Sequence, residues 1–490
     1  MNTIAPAILI IAALVVPAAG ALAIALVGRR ANLREAVTLV TAAVLLGVVG
    51  RLASVIFAGG NARVDGFEVV PGLTFAFEVE PLGMLFALVA STLWIANSIY
   101  SIGYMRANDE PRQTLFYVCF AIAIASTIGI AFAKNLFTLF LFYEALTLST
   151  YPLVTHKRDA AAKSGGRTYL LMLLGTSMLI FLPAIIATGY FAGTLDFTVG
   201  GILKGRLEGP AVAVLLGLFA FGIGKAALMP LHRWLPAAMV APTPVSALLH
   251  AVAVVKAGVF TITKVVIYIF GIDYLSATGA STWLVYVAGA GVILASLIAM
   301  TKDNLKARLA YSTVSQLAYI VTGAMLANGT ALVGSSMHIA MHAFGKITLF
   351  FCAGAIYTAA HKTEVSELTG LGRAMPITFA AFFVGALSVI GLPPMGGLWS
   401  KWYLALGALE ADQLIILAVL MVSSLLNIAY LLVIPVKAFF GPAPDGASAA
   451  GMKEAPLACL IALIATATGC VVLFFYPGPL FDLVGLIRFR

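Results

Sequence analysis

The sequence predicts an all-α polytopic membrane protein with about 14 transmembrane helices. Of its 490 residues 62% are hydrophobic and only 10% charged, and the mean hydropathy is +1.05. One soluble core cannot hide that much apolar surface. Runs of about 18 or more weakly charged residues recur along the whole length, each long enough to cross a hydrocarbon layer.

In chain order the runs centre on 5–27, 36–58 and 82–104, then on 115–133, 135–154, 168–190, 211–229 and 243–270. They continue at 281–300, 307–327, 335–358, 376–408 and 412–440, and end at 455–476. The first resembles a signal peptide, with Ala21-Leu22-Ala23 as a cleavage site, but no basic residue precedes the apolar stretch, so it reads as a span. Runs four to eight and nine to thirteen form two sets of five, and an odd number of crossings inverts the second set relative to the first. The expected organisation is a three-helix N-terminal segment (1–110), a first five-helix repeat (111–275), an inverted second repeat (276–440) and a C-terminal helix with its tail (441–490). Runs seven and twelve should be broken helices. Around them stand "KAALMPLHRWLPAAMVAPTPVSALLH" and "VIGLPPMGGLWSKW", and proline removes a backbone donor and interrupts the helical ladder.

Loop charges predict orientation. One face receives most basic loop residues, from Arg29, Arg30 and Arg106 to Lys157, Lys306, Lys362 and Lys453; the other receives Arg63, Lys134, Lys204, Arg206, Arg488 and Arg490 among several acids. That bias places both termini outside the cytoplasm. It also accounts for the net charge of +9 without nucleic acid as a partner. Cys119, Cys352, Cys459 and Cys470 lie far apart in apolar segments and read as core hydrophobes, with no iron–sulfur pattern. "FGKIT" at 344–348 lacks the glycine and hydroxyl of a nucleotide loop. No cofactor is expected.

An ionisable group at bilayer depth costs about 2.5–3.5 kcal/mol on insertion scales, so each one inside a run has to be accounted for. Among the acids only Glu144, in "LFYEALTLST", sits well inside a long run. A structural ion pair competes with a proton or cation site, which the accompanying lysines favour: Lys225, Lys256, Lys346 and Lys401. Lys264 and Lys437, nearer run ends, read as lysines that snorkel to the headgroups. His338, His342 and Lys346 follow at four-residue steps and so project from one helical stripe. Such a histidine pair can chelate zinc, but the stripe has no nearby Cys, Asp or Glu, and imidazoles titrating near neutrality fit a proton relay. His250 reads either as a core histidine or as a station beside Lys256. Glu144 with Thr147, Ser149 and Thr150 raises a sodium site as a further reading.

Together, "FGIGKAALMPLHRWLPAAMVAPTPVSALLHAVAVVKAG", "HIAMHAFGKITLFF" and "GLPPMGGLWSKW" resemble the antiporter-like subunits shared by Mrp-type Na⁺/H⁺ antiporters and the proton-pumping arm of respiratory complex I. The resemblance covers about residues 80–440. It implies that Glu144 is the fifth-span carboxylate, Lys225 the seventh-span lysine on a broken helix, and Lys256 the eighth-span lysine, with His250 the histidine other members carry there. His338, His342 and Lys346 match the central relay, and Lys401 the twelfth-span lysine, which is glutamate in some relatives. Length and Lys401 point to a member like the Mrp D-type component, while "APTPVSALLH" looks closer to the much longer Mrp A-type component and the longest complex I pump component. The implied setting is the bacterial cytoplasmic (inner) membrane, with other membrane subunits as partners and H⁺ and a monovalent cation as cargo. A secondary transporter subunit is then expected rather than an enzyme. A pump subunit of a complex I-type quinone oxidoreductase or a membrane-bound hydrogenase, and a module energising a partner enzyme, stay open.

Overall fold

Residues 5–442 and 453–488 are described by a computed structural model. The expected sites all fall within them, whereas Arg490 and much of the last loop lie outside the described residues. The principal helices begin with α1 (Pro6–Leu26), α2 (Ala31–Phe57), α3 (Pro81–Ala107), α4 (Gln113–Ala131), α5 (Leu136–Val154) and α6 (Ala160–Ala192). Next come α7 (Pro210–Gly222), α8 (Thr243–Phe270), α9 (Thr282–Thr301), α10 (Leu305–Met325), α11 (Gly329–Ala360) and α12 (Pro376–Ile390). The chain continues with α13 (Gly397–Glu410), α14 (Leu414–Phe440), α15 (Leu457–Phe475) and a short α16 (Gly478–Gly485).

Among the described residues, 11 helices are long and apolar enough to cross a membrane. Each remaining expected run has a physical reason for standing outside that set. The seventh and twelfth are broken as the prolines require, leaving α7 and the α12–α13 pair as shorter pieces. The tenth forms α10, 21 residues long, but Lys306, Arg308, Ser312, Thr313, Ser315 and Gln316 make it more polar than a lipid-facing span. Its sequence suits a helix enclosed by others.

Side-chain caps fix where several helices begin. Asn135, Asp159, Asn304 and Asn328 each accept a hydrogen bond from the backbone N–H three residues on, opening α5, α6, α10 and α11. Each satisfies a donor that the first turn leaves without an intrahelical partner. At the centre of the bundle run α8, whose most apolar 18-residue window is 100% buried, and α11, whose window is 94% buried. Leucines on α1, α6 and α14 face outward instead, Leu22, Leu179 and Leu425 among them.

An antiparallel hairpin, β1 (Ala62–Val70) and β2 (Leu73–Val79), was not expected in an all-α chain. Its turn holds Gly72 at φ +84°, a conformation glycine adopts without strain. The hairpin lies over the α4–α5 loop: Glu78 N donates to Phe132 O at 2.8 Å, Lys134 N to Ala76 O at 3.1 Å, and Asn135 Nδ2 to Thr74 O at 2.8 Å.

The two breaks are built differently. In the first, α7 stops at Gly222, a single tight turn Gly224–Ala226 carries Lys225, and short helical turns over 234–240 lead to α8. The carbonyl of Gly224, which accepts from Ala227 N at 3.0 Å within the turn, also accepts from Trp234 Nε1 at 2.9 Å. Gly258 of α8 lies directly against this turn; a Cβ there would come within 2.2 Å of Ala226 N and 2.3 Å of the Lys225 carbonyl carbon. In the second, α12 ends at Gly391, at φ +89°, and α13 starts after Pro393 and Pro394.

Candidate functional site

Lys225 is fully buried in the first break, where its Nζ donates to Tyr143 O at 2.8 Å and to Thr147 Oγ1 at 2.5 Å. Its backbone N–H reaches Tyr143 OH at 3.1 Å, and the ammonium sits 3.3 Å from the centroid of that ring. Both acceptors belong to α5 and flank Glu144. Glu144 itself is half-buried and shares the outer stripe of α5 with the exposed Leu141 and Leu148. Its carboxylate oxygens are shielded yet accept no hydrogen bond, and no ion pair within 4.0 Å joins it to Lys225. The charge that stood alone in the sequence thus stands beside the lysine's anchor, without touching the lysine.

The hydroxyls that raised a sodium site do not gather round Glu144. Thr147 is engaged by Lys225, Ser149 Oγ donates to Leu146 O at 3.2 Å, and Thr150 Oγ1 lies 2.6 Å from Tyr169 OH.

Deeper in, a line of side chains crosses from α8 through α11 to α13, joined by hydrogen bonds at its ends and by a ring stack in the middle. Lys256 Nζ lies 2.5 Å from His342 Nδ1. The His342 and His338 rings stack with centroids 5.7 Å apart, as the four-residue step requires. His338 Nδ1 meets Ser400 Oγ at 2.8 Å, and its Nε2 meets Gln316 Oε1 at 3.1 Å. Ser400 adjoins Lys401, which is half-buried; Lys401 Nζ donates to Ile390 O at 3.0 Å and Ser424 Oγ at 3.3 Å and lies 4.6 Å from the Tyr319 ring centroid. Lys346 belongs to a side branch, donating to Ser312 Oγ at 2.6 Å, which in turn accepts from Tyr430 OH at 3.1 Å. Neither ring nitrogen of His250 has a hydrogen-bond partner, and its ring packs 4.6 Å from that of Phe350. It lies on the same helix as Lys256 but outside that line.

Two kinds of residue escape a reading of the sequence. Lys264 does not snorkel: it is buried, ion-paired with Glu80, and donates to Ala133 O at 2.8 Å. Its place near the end of a run concealed the acid that folds over it from the start of α3. Lys437, by contrast, is exposed near the end of α14, as a snorkelling lysine should be. The neutral partners Tyr143, Gln316, Ser312, Ser400, Ser424 and Tyr430 do not stand out in the sequence either. "YSTVSQLAY" in α10, a polar stretch inside a central helix, carried the available signal.

The chain resembles known proteins along most of its length. A family model described as "NADH:quinone oxidoreductase/Mrp antiporter, TM" matches residues 133–427. NADH-quinone oxidoreductase subunit N of Desulforudis audaxviator is 33% identical over 422 residues, covering 81% of this chain and 81% of that protein. The A component of the Na(+)/H(+) antiporter of Alkalihalophilus pseudofirmus is 29% identical over 84% of this chain, which spans only 53% of that longer relative. Hydrogenase-4 component B of Escherichia coli is 32% identical over 81% of this chain and 61% of its own length. Among solved structures, the Mrp complex from a Dietzia species contains a chain of the same fold, with a TM-score of 0.87 at 22% identity over 98% of this chain and 96% of that one. The helical membrane architecture, the broken segments and the extent of these matches agree: the chain belongs to the NADH:quinone oxidoreductase/Mrp antiporter transmembrane family.

Proposed function

We propose that the chain is a proton-translocating subunit of a multisubunit monovalent cation/proton antiporter, like the Mrp D-type component, in a bacterial cytoplasmic membrane with both termini on the outer side. The observation that carries this reading is the buried line from Lys256 through His342 and His338 to Ser400, next to Lys401. A row of titratable side chains at such depth is costly, and groups kept at that cost mark ion and proton pathways. Glu144, on the outer stripe of α5, supplies the control. Its carboxylate oxygens are shielded within the chain, but the residue sits on a stripe of exposed leucines, which a neighbouring membrane protein of the complex would cover.

The steps follow from the contacts. When Glu144 swings toward Lys225, the ammonium gains a counter-charge and holds its proton; when an arriving proton or cation neutralises Glu144, the ammonium is left with neutral acceptors and releases more readily. The released proton passes by way of water to Lys256, along His342 and His338, and leaves past Lys401. An imidazole both accepts and donates, and His338 is already linked at both ring nitrogens, whereas His342 is linked at Nδ1 alone and passes its proton on by way of water.

Glu144→Ala and Lys225→Ala, each assembled in the reconstituted native complex, should abolish cation transport coupled to a pH gradient while leaving the complex intact. Normal transport by both variants, read with a pH-sensitive dye in vesicles, would refute the assignment. A pump subunit of a quinone oxidoreductase or hydrogenase complex is the second reading, favoured by the 33% identity with subunit N over most of both chains. Identifying the proteins that co-purify separates the two: small antiporter subunits support the first, iron–sulfur or hydrogenase subunits the second.

A further inference from the structure

At one end of the bundle, the hairpin, the α4–α5 and α6–α7 loops, the end of α8 and the C-terminal segment enclose a cavity of about 350 Å³. Glu78, Glu80, Lys134, Tyr268 and Arg488 line it. We propose that this cavity is the mouth of a lateral proton branch, with Glu80 and Lys264 as its outer station and Lys256 as its inner one. The proposal rests on the reading of Lys256 as part of a proton line.

Glu80 stands at the boundary of the cavity, with its carboxylate toward Lys264 behind it. Lys264 is 1% exposed, its ammonium 4.3 Å from the Phe197 ring centroid and 5.5 Å from that of Phe260. With Glu80 in front, its side chain 16% exposed at the cavity wall, and an ammonium sealed by aromatic faces behind, the pair is open to one side only. Lys264, Phe260 and Lys256 then follow at four-residue steps along α8, so the two lysines are separated by about 12 Å of helix. Phe260, packed 5.0 Å from Phe86, fills the stretch between them. A swing of that ring admits water between Lys264 and Lys256, and the proton passed inward is replaced at Glu80 from the cavity.

The charged groups facing the pair do not neutralise it. Lys134 is already matched with Asp196 at 3.2 Å, so Glu78 and Arg488 are the charges left on the cavity wall. A tie between α3 and α8 would account for the ion pair alone. It would not require one partner to line a cavity while the other begins a stripe leading to Lys256.

Two measurements on the assembled complex test this. Glu80→Gln combined with Lys264→Met replaces the pair by neutral side chains of similar length; transport should fall several-fold below wild type with the complex still assembled. Asn61→Cys puts a thiol on the cavity wall, against native cysteines that are all buried. A bulky membrane-impermeant thiol reagent should modify it from one side only and block transport. Wild-type transport by the double variant, alongside loss in Glu144→Ala, overturns the mouth and leaves the main line standing. Transport lowered in the double variant but kept in Glu144→Ala supports the mouth and removes Glu144 from control. Where the double variant fails to assemble, Asn61→Cys decides: complete modification without loss of transport overturns the proposal.

Discussion

The two breaks both bring a lysine to interrupted backbone, yet they hold it in opposite ways. Lys225 lies within its break and reaches outward to α5, where its acceptors flank Glu144. Lys401 lies on the helix after its break and turns back to the Ile390 carbonyl that the break set free. Among the described residues no carboxylate forms an ion pair with Lys401. The first lysine therefore stands where an acid can change its partner, while the second is held by neutral dipoles and responds only to charge that arrives. On the proposed function, control and exit are physically different tasks, and the contrast between the two breaks is what such a division requires.

The most severe test of that division keeps the charge and removes its exchange. Arginine stays protonated at all working pH values, so it preserves a structural cation but cannot pass a proton on. Lys401→Arg and Lys401→Ala should both stop proton passage even with Glu144 in place. Full flux through Lys401→Arg in reconstituted vesicles would make Lys401 a fixed charge and leave the first break as a complete route by itself.

A smaller effect separates the two constructions. Replacing a helical glycine by alanine ordinarily favours the helix by up to about 1 kcal/mol. At Gly258 the added Cβ would meet the backbone of Ala226 and Lys225, which cannot move aside without shifting the lysine. Overpacking of this kind costs about 1–3 kcal/mol, so Gly258→Ala should lower both thermal stability in detergent and transport. Gly50→Ala, where a Cβ meets nothing within 4 Å, is the control and should lower neither. In the second break the corresponding clash is with a side chain: a Cβ at Gly391 lies 2.7 Å from Lys401 Cδ. Gly391→Ala, strained at its positive φ by about 1–2 kcal/mol, should displace the lysine and reduce transport more than stability. Equal loss of stability in the two alanine variants would show that the breaks are built alike.

How much of this was legible follows from what each residue costs. Lys225, Lys256, Lys346, Lys401, His338 and His342 stood out because a titratable group in an apolar run is expensive, and all except the half-buried Lys401 are buried. Their neutral partners were hidden, because a hydroxyl can satisfy itself on its own helix. Thr313 and Thr322 do only that, bonding Leu309 O at 2.9 Å and Ala318 O at 2.8 Å, whereas Ser312 reaches across to Lys346, and Ser400 meets His338 while also bonding Gly397 O on its own helix at 3.1 Å. Sequence alone does not separate these cases. Nor does an apolar run distinguish lipid from core, since Leu141 and Leu148 are exposed while Leu139 and Leu146 are buried, and so the outward stripe of Glu144 was not foreseen. The hairpin was more readable: Pro71-Gly72 stands between alternating segments, a turn signal overshadowed by the long apolar runs.

The weakest effect concerns the rim and contrasts the ends of two helices. His156, just after α5, is buried, with Nε2 3.6 Å from the Glu110 carboxylate; His361, just after α11, is exposed. Burial first, then the positive charge of Arg112, pushes the His156 imidazole down to about 4. In the unfolded chain it titrates near about 6.5. Between those values the unfolded state takes up a proton that the folded state refuses, so stability falls as pH drops from about 6.5 to about 4, and the decline levels off below that. Thermal unfolding of the detergent-purified protein across this range should show the decline. His156→Gln should flatten it, and His361→Gln should leave it unchanged. An identical slope in His156→Gln would place the acid sensitivity elsewhere, with the Glu110 carboxyl, raised by burial, as the next group to replace.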